Sequence, residues 1–223
     1  MDFSVEQIAV PVAGVDAWLV DLAQGADTVS RAELTLTPVE LARARRGVPA
    51  VRARRVLLRA ALRSALGAEL RLDPRRVPLG RTAAGRPFVV PSVADPVMDV
   101  SCSASGTIGV VVLSRLARVG VDVEQVAPWA PEVLEEAWLT DGERATLVSL
   151  RAADRAAAVT RSWTQKEAVL KAAGTGLHGD PAGSVTPIGS ADGIVAGWHV
   201  DGLPVPDGWL ASLATGPRWV MPT

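Results

Sequence analysis

The chain of 223 residues contains one cysteine, Cys102, so an internal disulfide is excluded. No apolar run approaches the roughly 20 residues that a membrane-spanning helix needs. The first residues carry neither the basic segment nor the apolar core of a secretory signal. Since 48% of the residues are hydrophobic and 21% are charged, the composition is typical of a folded globular protein. We therefore expect a cytoplasmic, monomeric protein with no membrane partner.

Aromatic residues are also scarce, at 4% of the chain, and tyrosine is absent. Proteins that bind nucleic acids combine a basic surface with aromatic stacking platforms, whereas this chain has a net charge of −1. The two histidines, His178 and His199, lack the spacing of zinc ligands. These absences disfavour a nucleic-acid binder and a zinc enzyme.

Lysine occurs only twice, at Lys166 and Lys171, and both lie in the stretch from Arg161 to Leu177. The alanines of this stretch favour a helix, and Gly174 is placed to end it in the left-handed conformation. Trp163, Glu167 and Lys171 recur every four residues and therefore share one helical face. This pattern indicates either a metal ligand beside a phosphate-binding lysine or a simple surface ion pair.

Charge is divided between the two halves of the chain. Thirteen arginines lie between Arg43 and Arg86 against two acids, Glu69 and Asp73. From Arg118 to Arg144 the acids dominate; they are Asp122, Glu124, Glu132, Glu135, Glu136, Asp141 and Glu143. Such a division favours a phosphate group held on one side and a cation on the other, although two solvated helices of opposite charge would look similar.

One pattern of secondary structure occurs twice along the chain. Each half contains a Leu-Thr-x-x-Glu helix-capping signal, at Thr37 and at Thr140, followed by a long helix that we expect to end at Gly67 and at Gly174. The remaining strands in the second half are predicted at 184–188, 194–200 and 209–214. We predict an α+β fold, a pseudo-twofold duplication of a strand-helix-helix-strand-strand unit. The two lobes, residues 1–116 and 117–223, would hold an active site between them.

The strand predicted at 119–126 places two carboxylates, Asp122 and Glu124, on one face and valines on the other. Adjacent carboxylates repel each other unless a cation or a base lies between them. Together with Glu167 they offer three oxygen donors without cysteine or histidine, a set that suits Mg²⁺.

Two motifs together, Gly-Val-Asp-Val-Glu at 120–124 and Trp-x-x-Lys-Glu-Ala-x-x-Lys at 163–171, resemble those of the 4′-phosphopantetheinyl transferases. The two-lobed surfactin-type (Sfp-type) class is the most similar, and the resemblance covers essentially the whole chain. It implies transfer of the phosphopantetheine arm of coenzyme A to a serine of an apo acyl or peptidyl carrier protein, with release of adenosine 3′,5′-bisphosphate. Such carriers serve fatty-acid, polyketide or nonribosomal-peptide synthesis.

The resemblance also implies roles for individual residues. Mg²⁺ would be held by Asp122, Glu124 and Glu167, and Glu167 and Lys171 would be catalytic, with Glu167 a candidate both for ligand and for base. The coenzyme's phosphates would be bound by basic and hydroxyl side chains; the candidates are Arg46, Arg55, Arg86, Ser103, Lys166 and Lys171.

One position departs from the family pattern. Members of this class commonly have a histidine in the Ser-x-Ser segment before the last strand of the first lobe, and here that residue is Ala104. A phosphate donor is therefore missing, unless a serine or an arginine nearby replaces it. This departure motivates an alternative, a non-catalytic or impaired relative that binds coenzyme A or a carrier protein.

Overall fold

The computed structural model describes residues 4–83, 85–90, 98–130, 137–175 and 181–218. The first half begins with strands β1 (Val5–Ile8) and β2 (Val15–Asp21) and helices α1 (Ala26–Glu33), α2 (Pro38–Ala44) and α3 (Pro49–Leu70). A short 3₁₀ turn (Pro74–Arg76) follows, and then the strands of this half, β3 (Leu79–Arg81), β4 (Pro87–Val89), β5 (Asp99–Ser105) and β6 (Ile108–Ser114).

The second half begins with β7 (Ala117–Gln125) and continues with helices α4 (Asp141–Ser149) and α5 (Ala152–Ala173). It ends with β8 (Gly193–Val195), β9 (Trp198–Leu203) and β10 (Trp209–Arg218). The fold is therefore α+β, as predicted. No helix among the described residues combines the length and apolar character that crossing a membrane requires.

Two antiparallel four-stranded sheets form the centre of the molecule, in the orders β1-β2-β6-β5 and β7-β10-β9-β8, beside a small β3-β4 hairpin. Valines of β6 and β7, among them Val110, Val112, Val121 and Val123, pack into one core shared by the two sheets. On its other face the first sheet packs against α3, through residues such as Leu57 and Val111. Strand β6 is buried along its whole length because both of its faces are covered.

Side chains, rather than a backbone ladder, join β5 to β7. Every second residue of β5 contributes: Asp99 accepts from the Val119 amide at 2.9 Å, Ser101 from the Val121 amide at 3.1 Å, and Ser105 from the Gln125 amide at 3.1 Å. Ser103 completes the row by donating to Asp122. Amides of β7 that face away from its partner β10 are thereby satisfied, which buried backbone donors require.

Gly120 allows helix α5 to lie directly on strand β7. A Cβ added at Gly120 would stand 2.0 Å from the Ala168 carbonyl oxygen and 2.4 Å from the Ala172 amide nitrogen, so no other residue fits. The small side chains of Ala168 and Ala172 permit the same close approach from the helix. As a result, the part of α5 around Ala168 and Ala172 lies over the face of β7 opposite its valines.

In each half, a buried basic side chain of the long helix pairs with a glutamate of the short helix that precedes it. The Thr37 capping box brings Glu40 to Arg63 of α3, whose Nε lies 2.7 Å from the carboxylate. The Thr140 capping box brings Glu143 to Lys166 of α5, at 2.9 Å. Both bases also donate to carbonyl groups of the segment after their helix, Arg63 to Pro74 and Lys166 to Pro181.

Several boundaries differ from the sequence prediction. Helix α3 continues through Gly67 to Leu70 and ends at Arg71, which adopts the left-handed conformation at φ 54°. Gly67 is needed for a different reason, because a Cβ there would come within 2.8 Å of the Leu72 carbonyl oxygen. Gly174 does end α5, at φ 78°, as predicted. Helix α1 was not predicted; its first turn has no side-chain cap that would mark it.

The strand predicted at 184–188 is absent among the described residues. Thr186 donates its amide and its hydroxyl to Glu143, at 2.8 and 2.7 Å, so this backbone is satisfied by a side chain instead of a neighbouring strand. The strand predicted at 194–200 is instead the hairpin of β8 and β9, with Ala196 and Gly197 both at positive φ in its turn.

The buried ion pair of Lys166 and Glu143 is expected to dominate the stability of the second half. Lys166→Met leaves the Glu143 carboxylate without its base and should lower the free energy of unfolding by about 3–5 kcal/mol. The matched control is Arg151→Met, since Arg151 pairs with Asp154 while 85% exposed; it should cost less than about 1 kcal/mol. Urea unfolding measures both, and similar losses would contradict the assignment.

Stability should also depend on pH through Glu143. Burial alone would raise the pKa of this carboxyl, but hydrogen bonds from Thr140, Thr186 and Lys166 outweigh burial and lower the pKa from 4.5 to about 2. Because the folded pKa is depressed, the stabilisation is complete above about pH 5 and disappears as pH falls toward 2. Wild type and Glu143→Gln, unfolded in urea at several pH values, should therefore converge in acid. A difference that stayed constant down to pH 2.5 would refute this.

Candidate active site

Three elements meet at a small polar cluster beside Gly120. Lys171 of α5 places its Nζ 2.5 Å from Oδ1 of Asp122 on β7 and 2.9 Å from Oγ of Ser103 on β5. Ser103 Oγ donates to the same Asp122 oxygen at 2.7 Å. The structure thus brings together one residue from the first sheet, one from the second and one from the long helix.

Two further carboxylates belong to this cluster, Glu124 on β7 and Glu167 on α5. Burial raises the pKa of Glu167, and the negative charges of Asp122 and Glu124 raise it further, whereas Lys171 opposes the shift. Burial likewise raises the pKa of Glu124, with Asp122 adding to the effect, while a 2.7 Å hydrogen bond from Ser105 lowers it. The carboxylates are therefore close enough to repel each other, and one lysine does not neutralise them.

Asp122 gives a further indication that this cluster binds a cation. Its Oδ2 is buried and has no hydrogen-bond partner among the described residues. Leaving such an atom unsatisfied costs free energy, so a ligand that binds it would be favoured. The cluster offers carboxylate and serine hydroxyl oxygens, which suit a hard cation such as Mg²⁺. The residues present therefore fit the predicted metal.

No ready-made metal cage exists within the part of the chain that the structure describes: no three acidic, histidine or cysteine residues are gathered at ligand spacing. The ammonium group of Lys171 lies against Asp122, where it partly balances the negative charge. A cation held here would use few protein oxygens and would complete its shell with water and with oxygens of the substrate. That is the usual behaviour of Mg²⁺.

A cavity of about 450 Å³ opens beside the cluster, with Ser103, Ala104, Glu167 and Lys171 in its wall. A second cavity of about 380 Å³ adjoins it and shares Leu58, Arg81 and Cys102 with it. Five arginines of the first half line the second cavity together with one acid, Glu40, and several apolar side chains; the arginines are Arg43, Arg46, Arg55, Arg59 and Arg81. A carboxylate site that favours a cation therefore continues into a basic space suited to anions.

The structure places the predicted arginines in two settings. Arg46 and Arg55 both line the basic cavity, and Arg55 Nη1 donates to the Arg46 carbonyl oxygen at 2.5 Å. Arg86 lines the other cavity, but its guanidinium is bound to both oxygens of Asp99, at 2.8 and 2.6 Å, and to the Val119 carbonyl oxygen. Arg86 therefore binds Asp99 and Val119, the first pair in the row of hydrogen bonds between β5 and β7. Its buried Nε has no partner among the described residues.

Lys166 does not join the cluster of Lys171, although it was predicted to bind the coenzyme. Its side chain is fully buried and bound to Glu143 and to the Pro181 carbonyl oxygen. Lys166 and Lys171 are five residues apart in the helix and so project in different directions. Their placement supports a structural role for Lys166 and gives no support to contact with a coenzyme at the Lys171 cluster.

Sequence reasoning did not single out Arg59 and Arg81 of the basic cavity. Arg59 follows Arg55 by four residues on α3, so the helical period could have indicated it. Arg81 is on the β3-β4 hairpin, and only the tertiary structure brings it to α3. Three residues of the acidic segment lie outside the described residues, namely Glu132, Glu135 and Glu136. The same holds for Gly176, Leu177 and His178.

Comparison with known proteins adds a family context to this geometry. Residues 118–193 match the family model described as the 4′-phosphopantetheinyl transferase superfamily. That segment contains Asp122, Glu124, Glu167 and Lys171. The chain is also similar to HetI, a 4′-phosphopantetheinyl transferase of Nostoc sp., with 30% identity over 165 residues, which cover 73% of this chain and 70% of the relative.

Removal of one acid should stabilise the protein when no divalent cation is present. Because burial and neighbouring charges raise the pKa of Glu167, its ionisation disfavours the folded state, and Glu167→Gln should raise the free energy of unfolding by about 1 kcal/mol at neutral pH. The gain should vanish below about pH 4, where the carboxyl is protonated in both states. Urea unfolding in chelator-treated buffer measures it, with the exposed Glu6→Gln as control.

The same variant should respond less to Mg²⁺. Wild type should gain thermal stability as the cation is added, since a ligand of the folded state stabilises it. Equal gains in wild type and Glu167→Gln would show that the cation binds elsewhere.

Proposed function

This chain belongs to the 4′-phosphopantetheinyl transferase superfamily, and we propose that it transfers the 4′-phosphopantetheine arm of coenzyme A to a serine of an apo acyl or peptidyl carrier protein. The co-product is adenosine 3′,5′-bisphosphate, as for a holo-carrier-protein synthase. The observation that carries this proposal is the meeting of three carboxylates, Lys171 and an arginine-lined cavity at one place. The named activity of the Nostoc relative agrees with it.

Coenzyme A would span the two adjoining cavities. The arginine-lined cavity suits its adenosine and 3′-phosphate, with Arg46 and Arg55 as the predicted contacts and Arg59 as an addition. The diphosphate would then lie toward Ser103 and Lys171, in the wall of the second cavity. Arg86, the third predicted arginine, lines this second cavity while its Nη atoms hold Asp99.

In the reaction, the carrier's serine oxygen forms a bond to the phosphorus that carries the pantetheine arm, and the bond from that phosphorus to the bridging oxygen breaks. Glu167 accepts the serine proton, directly or through water. Lys171 balances the charge on the departing bisphosphate or donates a proton to it. Mg²⁺, held by Asp122, Glu124 and Glu167, would neutralise the diphosphate when bound.

We also propose the two-lobed surfactin-type architecture, an internal duplication with the site between residues 1–116 and 117–223. A single shift of 103 residues supports it. The shift relates the starts of the two long helices, Pro49 and Ala152, and their ends, Leu70 and Ala173. It also relates the capping glutamates and their buried basic partners, Glu40 with Glu143 and Arg63 with Lys166. The left-handed residues after the helices, Arg71 and Gly174, correspond as well.

Two of the three acids have no acidic counterpart under the same shift, since Glu167 corresponds to Ser64 and Asp122 to Leu19, whereas Glu124 corresponds to Asp21. Only the second half would therefore carry the metal, while the first half would supply arginines. We retain the cytoplasm as the expected location and a monomer as the expected state.

The deciding experiment incubates the protein with coenzyme A, Mg²⁺ and several apo-carriers and follows the carrier mass. The expected result is a gain equal to the phosphopantetheine arm on at least one carrier, together with release of the bisphosphate. Lys171→Ala and Glu167→Gln should lower the rate by about 10²-fold or more, since general-base and charge-stabilising groups contribute on that scale. A carrier lacking the acceptor serine is the control.

Absence of any mass gain, combined with measurable coenzyme A binding, would favour the alternative of a non-catalytic relative. A mass gain on the carrier without the serine would contradict the proposed acceptor. A gain that survived removal of all divalent cations would contradict the metal assignment while leaving the transfer itself in place.

A further inference from the structure

Arg54 is a basic residue beside the carboxylate cluster to which no role has yet been assigned. It lies on α3 one turn before Leu58, which is part of the wall of both cavities. Its Nη2 donates to the carbonyl oxygen of Ala104, at 3.2 Å. Ala104 belongs to the wall of the cavity that also contains Glu167 and Lys171, so Arg54 is bonded to a residue of that wall.

The strand that Arg54 contacts also carries two residues of the carboxylate cluster. Ser103, the residue before Ala104, donates to Asp122 and accepts from Lys171. Glu124 accepts from Ser105, the residue after Ala104. Arg54 and Lys171 therefore both lie near the carboxylates, Arg54 on the helix of the first half and Lys171 on the helix of the second.

The guanidinium of Arg54 retains donor capacity. Among the described residues it makes one hydrogen bond, to Ala104, and a guanidinium has five N–H donors in a planar fork. That fork matches two oxygens of a phosphate, which makes arginine a preferred phosphate-binding residue. Ala104 itself offers no side-chain donor, so Arg54 supplies a basic group at this position.

We infer that Arg54 binds the diphosphate of coenzyme A, opposite Lys171. This inference rests on the proposed function, because it takes coenzyme A as the ligand. The diphosphate, rather than the 3′-phosphate, is assigned to Arg54 because its partner Ala104 lies in the wall of the cavity of Lys171 and not in that of the arginine-lined cavity. The two neighbours of Ala104 on β5 are the serines that bind Asp122 and Glu124.

Equilibrium binding separates this role from a structural one. Calorimetric titration with coenzyme A and with dephospho-coenzyme A, which lacks the 3′-phosphate, is done in the presence of Mg²⁺. Arg54→Ala should raise the Kd of both ligands by about ten- to a hundredfold, the range expected for a charge-assisted hydrogen bond. Arg54→Lys should show a smaller rise, because a lysine keeps the charge and loses the fork.

Arg52→Ala is the matched control, since Arg52 is on the same helix and pairs with Glu33. It should change both Kd values less than twofold. Arg54→Lys keeps the test valid should Arg54→Ala prove unable to fold, and circular dichroism with urea unfolding reports the fold of each variant.

Three results would overturn the inference. Unchanged Kd values in Arg54→Ala would leave Arg54 with only its bond to the Ala104 carbonyl oxygen on β5. A loss confined to coenzyme A, absent with dephospho-coenzyme A, would assign Arg54 to the 3′-phosphate instead. A raised carrier KM with unchanged coenzyme binding would make it a carrier contact.

Failure of the proposed function gives a different outcome. Wild type that binds both ligands through Arg54 but modifies no carrier would refute transfer and support the inference. Wild type that binds neither ligand would refute both.

Discussion

The structure depends on a row of side-chain hydrogen bonds between two strands that do not pair through their backbones. Asp99, Ser101, Ser103 and Ser105 point from β5 toward β7 and satisfy the amides and carboxylates along it. A regular ladder would have merged the two sheets into one. With side chains between them, the sheets can face each other across a valine core while the row itself remains polar. The same serines that join the halves also contact Asp122 and Glu124, so the joint between the halves is part of the site.

Buried charges hold the helices that carry the functional side chains. Arg63 and Lys166 each bind a capping-box glutamate and reach carbonyl groups beyond the end of their own helix. A buried ion pair gains little over a well-packed apolar pair, but removal of one partner leaves a charge that water cannot reach. Such pairs therefore oppose any change in the angle between short and long helix. The angle matters because Arg55 and Arg59 lie on the first long helix and Glu167 and Lys171 on the second.

The candidate site contains opposite charges that its own residues do not fully neutralise. The carboxylates repel one another, and one oxygen of Asp122 has no partner among the described residues. The adjoining cavity collects arginines. A ligand with both a diphosphate and a bound cation would relieve both imbalances at once, since its phosphates meet the arginines and its cation meets the acids. Free energy that is unfavourable in the empty protein thus becomes available for binding.

Local patterns in the sequence determined helices α2 to α5, the capping boxes and the acids, because these depend on contacts within a few residues. Helix α1 was missed because no side-chain cap marks its start. Alternation in the Gly120–Glu124 stretch was sufficient to place Asp122 opposite the valines, and the period of four was sufficient to pair Glu167 with Lys171. Tertiary structure alone decided which basic residues reach the site. Lys166 and Lys171 belong to the same motif and cannot be told apart from the sequence. In the structure Lys166 is buried in an ion pair with Glu143, whereas Lys171 pairs with Asp122. Arg54 and Arg81 owe their positions to how α3 and the β3-β4 hairpin lie beside β5. The physical reason is that a charged side chain pairs with the opposite charge that the fold brings near, and that partner is distant along the chain.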